Sequence, residues 1–356
     1  MGRTAIRTAI GSILLYLFST ASLAGGARVP DKPSGEYDLP ATAINTDAIP
    51  AMVIDADAPD DEPLPYYRIA ADTYMLFGNI AEVDEKNRGW NGNAGFVVTE
   101  DGVFVIDSLG TPKLGRRFLA TIRSVTDQPV RYLLLTHNHP DHSYGAIAFR
   151  RNTDATVIAH KGTLDYIHSQ QIDSSVEYRR GFIEQDMQNF AAVTPDVLID
   201  DEHFSKKCFT LGDKRFVVYN SGKHHSHGDL VMQQLPQQIL WISDLAFNQR
   251  TTFMGDGSSR QAIEGQQWLL DNFAEAKLMV PGHGSAQRAP FTMVSKTRSY
   301  VERLREEMGE AVEAGITLQQ AVESSDYPDW HDTRLYQLNH RANANFVYRE
   351  MELELF

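Results

Sequence analysis

The segment Thr136-His137-Asn138-His139-Pro140-Asp141-His142 sets three imidazoles and a carboxylate within six residues, directly behind the apolar run Tyr132-Leu133-Leu134-Leu135. Histidine supplies only 12 of the 356 residues, so this density at the end of a buried strand marks a metal site rather than a polar loop. Neutral imidazole nitrogen and carboxylate oxygen are ligands that suit zinc and neighbouring divalent metals. In an extended segment His137 and His139 project to the same side and can pinch one ion. Pro140 then breaks the strand. Asp141 and His142 are thereby aimed from a second direction, as a neighbouring ion requires.

Three further segments carry the same residue types. Gly222-Lys223-His224-His225-Ser226-His227-Gly228-Asp229 lies between two expected strands, and from composition alone any of its three histidines can be a ligand. Glycines there let the backbone approach an ion, and the carboxylate of Asp229 is available to orient a ligand ring. Leu240-Trp241-Ile242-Ser243-Asp244 ends a buried strand with an acid, which serves either as a turn cap or as a ligand. Val280-Pro281-Gly282-His283-Gly284 places a histidine at a glycine-flanked strand end, structural by itself and a ligand in the company of the others. His160, His168, His203, His331 and His340 have no such context and read as structural.

The rest of the chain bounds the setting. Residues 1–24 read as a secretory signal, with Arg3 and Arg7 ahead of the apolar Ile10–Phe18 stretch and a small-x-small site at Ser22-Leu23-Ala24. A periplasmic or secreted bacterial protein is therefore expected, without stable membrane insertion once the signal is cleaved. The single cysteine, Cys208, rules out an intrachain disulfide. Net charge is −14, about −16 once Arg3 and Arg7 leave with the signal. Such a surface repels polyanions, so a small molecule rather than nucleic acid is the expected partner. The oligomeric state is left open.

Residues 25–65, proline-rich and acidic through Asp55–Glu62, read as a solvated flexible arm, either a tether or a wrapping segment. From Tyr66 the pattern becomes folded. Strands are expected at Tyr74–Phe77, Phe96–Thr99, Val103–Ile106, Tyr132–Leu135 and Thr156–Ala159, with Asp101-Gly102 as a hairpin turn. A second strand-rich half follows at Phe216–Tyr219, Asp229–Gln233, Ile239–Ile242 and Leu278–Val280. Helices are expected over Lys113–Ser124, from near His142, through much of 161–195, over Gly265–Phe273, and in a C-terminal group at 290–314, Leu318–Val322 and Arg334–Glu352. Two strand-rich halves with flanking helices imply an α/β fold of two sheets face to face, covered by helices.

Taken together, these residues resemble the metallo-β-lactamase superfamily from about Tyr66 to the C-terminus. His137-x-His139-x-Asp141-His142 is similar to its first signature and Gly222-x-x-His225-Ser226-x-Gly228-Asp229 to the segment of its third histidine, which selects His225. Ser243-Asp244 resembles the segment of the bridging aspartate, although glycine is commoner before that acid, and Pro281-Gly282-His283-Gly284 resembles the last signature. The resemblance implies an αββα sandwich of two mixed sheets with two zinc ions, or iron or manganese, at one edge. His137, His139 and His225 would hold the first ion; Asp141, His142 and His283 the second; Asp244 would bridge both. It implies a hydrolase in which a metal-bridging hydroxide attacks an ester, thioester, lactone or amide, with Asp141 as the catalytic carboxylate. An iron-dependent sulfur or persulfide dioxygenase on the same scaffold is the alternative, and so is a true β-lactamase, against which Asp244 argues. Asn93-x-x-Phe96, Asp107-Ser108, Leu235-Pro236-Gln237-Gln238 and Asn345-Phe346-Val347-Tyr348 resemble an exported branch associated with quinoprotein or sulfur-oxidation systems. Gly89-Trp90-Asn91-Gly92-Asn93 reads either as a flap with an aromatic tip or as a surface turn. Thr252–Gly257 is a candidate cleft wall, and His224 and His227 are candidates for supporting or substrate groups.

Overall fold

Strand residues alternate between two cores. On the strand Gly102–Ile106, Val103 and Val105 face a cluster with Phe118 and Phe149, while Phe104 and Ile106 face one with Phe216 and Trp241. A strand that is apolar on both faces must be covered on both, which forces layers. The structure is a computed structural model and describes residues 53–355; the expected signal and residues 25–52 of the expected arm lie outside them.

The described residues form twelve strands and nine helices in two sheets. The first sheet holds, in spatial and chain order, β1 (Tyr67–Ala70), β2 (Thr73–Leu76), β3 (Ala94–Thr99), β4 (Gly102–Ile106), β5 (Val130–Leu134), β6 (Thr156–His160) and β7 (Val197–Ile199). It is antiparallel up to β4 and parallel from β4 to β7. The second runs β12-β11-β10-β9-β8, from β8 (Lys206–Leu211), β9 (Lys214–Gly222), β10 (Asp229–Leu235), β11 (Ile239–Ser243) and β12 (Leu278–Pro281), with only β11 and β12 parallel. The sheets meet through Phe104 stacked on Phe216 at 4.2 Å between ring centroids. Gly95 lies under Trp241, where a Cβ would sit 2.1 Å from the indole, so only glycine admits that contact.

Helix α1 (Pro112–Val125) covers the first sheet with α3 (Ala146–Asn152). It starts at Thr111, whose hydroxyl accepts from Leu114 N, with Pro112 where its missing N–H costs nothing. Between them α2 (Pro140–Ser143) is a single turn opened by Pro140. α4 (Lys161–Ile167) and α5 (Gln171–Ile183) form a helical insertion with its own small core. α6 (Ser259–Asn272) covers the second sheet; capped by Ser258, it begins six residues before the expected Gly265. α7 (Thr292–Glu313), α8 (Leu318–Ser324) and α9 (Tyr336–Leu355) close the chain as a bundle around Tyr300, Leu304 and Val347.

Three strands were not expected: β1, β7 and β8. Residues 53–65, the described end of the expected arm, lie against α1. Leu64 is buried and its N–H donates to Thr121, while Arg116 pairs with Asp60 and Arg117 with Glu62. No described helix is long and apolar enough to cross a membrane.

Candidate metal centre

Parallel pairing decides where chemistry can collect. β4 and β5 run parallel, so Asp107 and the His137–His142 segment leave the first sheet at one edge. β11 and β12 also run parallel, bringing Asp244 and His283 together, while the β9–β10 loop carrying His225 reaches the same edge because β10 is antiparallel to β11. All seven expected ligands meet there. His137, His139, His225 and Asp244 form one group and Asp141, His142 and His283 a second, with the ligand atoms of each within 4.8 Å of one another. Asp244 lies between them: Oδ2 is 3.0 Å from His225 Nε2 and 3.2 Å from His283 Nε2, and Oδ1 is 3.5 Å from His142 Nε2.

The rings are held from behind. His142 Nδ1 is 2.9 Å from Asp107 Oδ2, and Asp107 also accepts from Thr136 N and Thr136 Oγ1. His283 Nδ1 lies 2.7 Å from the carbonyl of Asn91. His139 turns Nε2 to Asp256 at 3.0 Å and leaves Nδ1 facing His225 Nε2 at 2.9 Å. His137 Nδ1 faces the hydroxyls of Thr136 and Ser243. Asn91 donates to Asp141 Oδ2 at 3.0 Å, and Arg179 of α5 stands 3.9 Å from Oδ1. A Cβ on Gly282 would lie 1.9 Å from Asp244 Oδ1, so glycine is required beside that acid.

The electrostatics call for cations. Burial works to neutralise Asp244, yet His283, His142 and His225 hold its carboxyl well below the usual range. Asp141 is depressed in the same way, against burial, by His142, His283 and Arg179. Burial opposes charge on His142, but Asp244, Asp141 and Asp107 raise its pKa to about 10. Burial drives His137 the other way and keeps it neutral. His137 Nε2 and Asp244 Oδ1 are buried and without a hydrogen-bond partner among the described residues. Orphaned lone pairs among buried anions are costly unless a metal ion accepts them. The donor set of five imidazoles and two carboxylates fits divalent metal of the zinc class.

Other expectations are corrected. Trp90 is neither a flap tip nor a surface turn residue: it is 1% exposed and packs in the core of the first sheet. It is its neighbour Asn91 that reaches the site. Asp229 does not orient the His225 ring; its carboxylate accepts from the backbone N–H groups of His225 and Ser226 and so shapes the loop. His224 turns away to Ser221 and His227 to Gln171, so neither contacts the metal ligands. The expected cleft wall Thr252–Gly257 does supply Phe253 and Asp256 to the lining, whereas sequence reasoning gave no site role to Asp107, Arg179 or Arg250. Asp107 carried a readable signal, an acid ending an apolar strand beside the histidine strand.

The centre opens into a cleft of about 440 Å³ lined by Asn91, Tyr178, Arg179, Arg250, Phe253 and Leu338, among others. The described model of the metallo-beta-lactamase superfamily matches residues 87–287. No curated protein matches the sequence. Among solved structures, the fold is similar to a metallo-beta-lactamase from Pontibacter korlensis, with 20% identity and a TM-score of 0.53 over 67% of this chain and 99% of that one. It is also similar to the stereoselective inverting sec-alkylsulfatase Pisa1 from Pseudomonas sp., with 17% identity and a TM-score of 0.64 over 80% of this chain and 50% of that one. The chain thus spans about half the length of the alkylsulfatase, and at these identities the likeness is one of fold.

Proposed function

This chain belongs to the metallo-beta-lactamase superfamily, whose members are mostly metal-dependent hydrolases, and from that premise we propose that it is a two-metal hydrolase of a small-molecule ester, thioester, lactone or amide. The observation that carries this reading is the position of Asp244 between two complete ligand groups, each able to hold one ion. Zinc is the metal we propose. Two such ions would supply the Lewis acidity that activates water at neutral pH and polarises the bond it attacks. The protein's own part is placement. Asp107, Asn91 and Asp256 fix the ligand rings, and Asn91 and Arg179 hold the carboxylate of Asp141 toward the cleft. Asp141 is there to orient the attacking water and to receive its proton at a carboxylate oxygen. The exported quinoprotein- or sulfur-oxidation-associated branch is the subfamily we propose, on the sequence resemblance of the β3–β4 and β10 segments.

The test combines metal content with a panel of thioesters, lactones, β-lactams and phosphodiesters, each assayed with zinc, manganese and iron. We expect about two metal ions per chain and turnover of one substrate class that Asp141→Ala abolishes while circular dichroism stays unchanged. About one iron per chain together with oxygen uptake on a persulfide would overturn the hydrolase reading. Undiminished turnover by Asp141→Ala would overturn the role of that carboxylate.

A further inference from the structure

The cleft beside the metals contains a cation that the centre does not use. Arg250 follows β11 by a short loop and is 7% exposed, yet its Nε and Nη1 have no hydrogen-bond partner among the described residues. Its one ionic contact among the described residues is loose: Nη2 stands 3.7 Å from Glu82, a half-exposed residue on another loop. The guanidinium also lies over the Phe247 ring, 5.6 Å from its centroid, and Phe247 stacks on the ligand His283. The other charged groups of the cleft are engaged. Asp141 and Asp244 belong to the ligand set, Asp256 faces His139, and Arg179 faces Asp141 and the carbonyl of Gly110. A buried guanidinium with free donors is costly unless something anionic meets it, and its planar fork matches an oxyanion better than any other group.

A second observation bears on the same ligand. Two large apolar side chains of the cleft stand exposed at its mouth, Tyr178 of α5 at 57% and Leu338 of α9 at 56%, with Phe253 further in beside His139. Exposed apolar groups gathered at the rim of a polar site mark where a ligand's hydrocarbon part lies.

We propose that Arg250 is a specificity-determining residue and that the substrate is a small amphiphile: an oxyanion group bound by Arg250 next to the metals, and a hydrocarbon part lying on Phe253, Tyr178 and Leu338. This rests on the hydrolase reading only in placing the substrate at the metal centre. Glu82 occupies the position of a weak internal competitor, which the ligand's anion displaces from Nη2.

Equilibrium binding tests it without requiring turnover. The metal-loaded full chain is titrated calorimetrically with octanoate, octanesulfonate and uncharged 1-octanol, and the metal content of every sample is measured. Arg250→Gln is expected to weaken both anions by about tenfold or more, the worth of hydrogen bonds to a charged group, and to leave octanol unchanged. Arg250→Lys keeps the charge without the fork and falls between. Glu82→Gln, at an accessible position that threatens no fold, is expected to tighten the anions several-fold. Octanoate held only by the metals would bind Arg250→Gln and Glu82→Gln as it binds the wild type, and that result overturns the proposal. So does a loss of anion and octanol alike in Arg250→Gln with its metals retained. Neither outcome touches the hydrolase reading, which stands or falls with turnover and Asp141.

Discussion

Ser243 shows how one residue reconciles strain with chemistry. It precedes Asp244, the proposed bridging acid, with φ of 47°, in the left-handed region where glycine sits without cost. That backbone explains why glycine is commoner before this acid. Serine in its place gains hydroxyl contacts to Thr136 at 2.7 Å and His137 at 3.2 Å, which fix the first ligand ring. Asp107 does the same for His142 of the second ligand group. Removing its carboxylate leaves His142 Nδ1 buried with no acceptor and frees the ring to turn. Asp107→Ala is therefore expected to lower metal affinity by about 10- to 100-fold, read by competition with a chromophoric zinc chelator. Asp107→Asn, which keeps one acceptor oxygen, should lose less. Wild-type affinity in Asp107→Ala would refute the positioning role.

Among the elements, α9 links the end of the chain to the cleft. Asn339 donates to the carbonyl of Thr251, and Asn343 donates to that of Thr252 and accepts from Met254 N, so the helix clamps the loop that holds Arg250 and Phe253. The same helix carries His340 in a chain whose donors are all assigned. Ser325 donates its only proton to Glu307, so in neutral His340 the Nε2–H donates to Ser325 and Nδ1 accepts from the Tyr300 hydroxyl, whose oxygen accepts from Asn343. A second proton on His340 would face the Tyr300 oxygen and break this order. Burial holds its pKa below the ordinary 6.5, and the pull of Glu307 does not reverse that. The unfolded chain takes up this proton near pH 6.5 and the folded bundle resists it. The contribution is thus complete above 6.5 and is lost as pH falls from 6.5 toward the lower folded value. His340→Gln, which retains one acceptor and one donor, should gain in melting temperature relative to wild type as pH is lowered from 6.5 to about 5. A wild-type-minus-variant difference that stays flat over that range would dismiss the idea. Legibility differed by element for physical reasons. β4, β5 and β11 are apolar on both faces and could be read directly; five of the seven candidate ligands lie just past strand ends or in glycine-bearing loops, and Asp141 and His142 sit in the single turn α2 opened by Pro140. β8 begins Lys206-Lys207-Cys208, exposed at a sheet edge, and offered no apolar run to detect. Arg179, one of an Arg179-Arg180 pair on a surface helix, and Arg250, a lone arginine in a loop, look ordinary in sequence, and only tertiary packing sets them in the cleft. Trp90 failed as a flap because its aromatic bulk, which suggested a tip, is what fills the core.

At the scale of the whole molecule the candidate metal centre, once loaded, would also fasten the two sheets together. His137, His139, Asp141 and His142 belong to the first sheet's edge, whereas His225, Asp244 and His283 belong to the second's. Away from that edge the sheets are held by apolar packing such as Phe104 on Phe216, with no disulfide to help, since the sole cysteine is free and exposed. Ions bound by ligands from both sheets stabilise only the state in which the sheets are docked. Their effect on folding is then set by mass action: free metal at 1,000 times its dissociation constant adds about 4 kcal/mol per site. For a domain of this size each kcal/mol moves the melting temperature by roughly 1.5 °C. Chelation should therefore lower the melting temperature by several degrees at least, with the unfolding transition remaining single if both sheets unfold together. Zinc returned to the chelated protein should restore it, and the midpoint should climb with free zinc. Ligand substitutions on either sheet should reduce that dependence alike, so His139→Ala and His283→Ala form the decisive pair. A melting temperature indifferent to zinc would show that the edge is fastened by protein contacts alone. Zinc dependence lost in one variant and fully retained in the other would show that the ions are held by a single sheet.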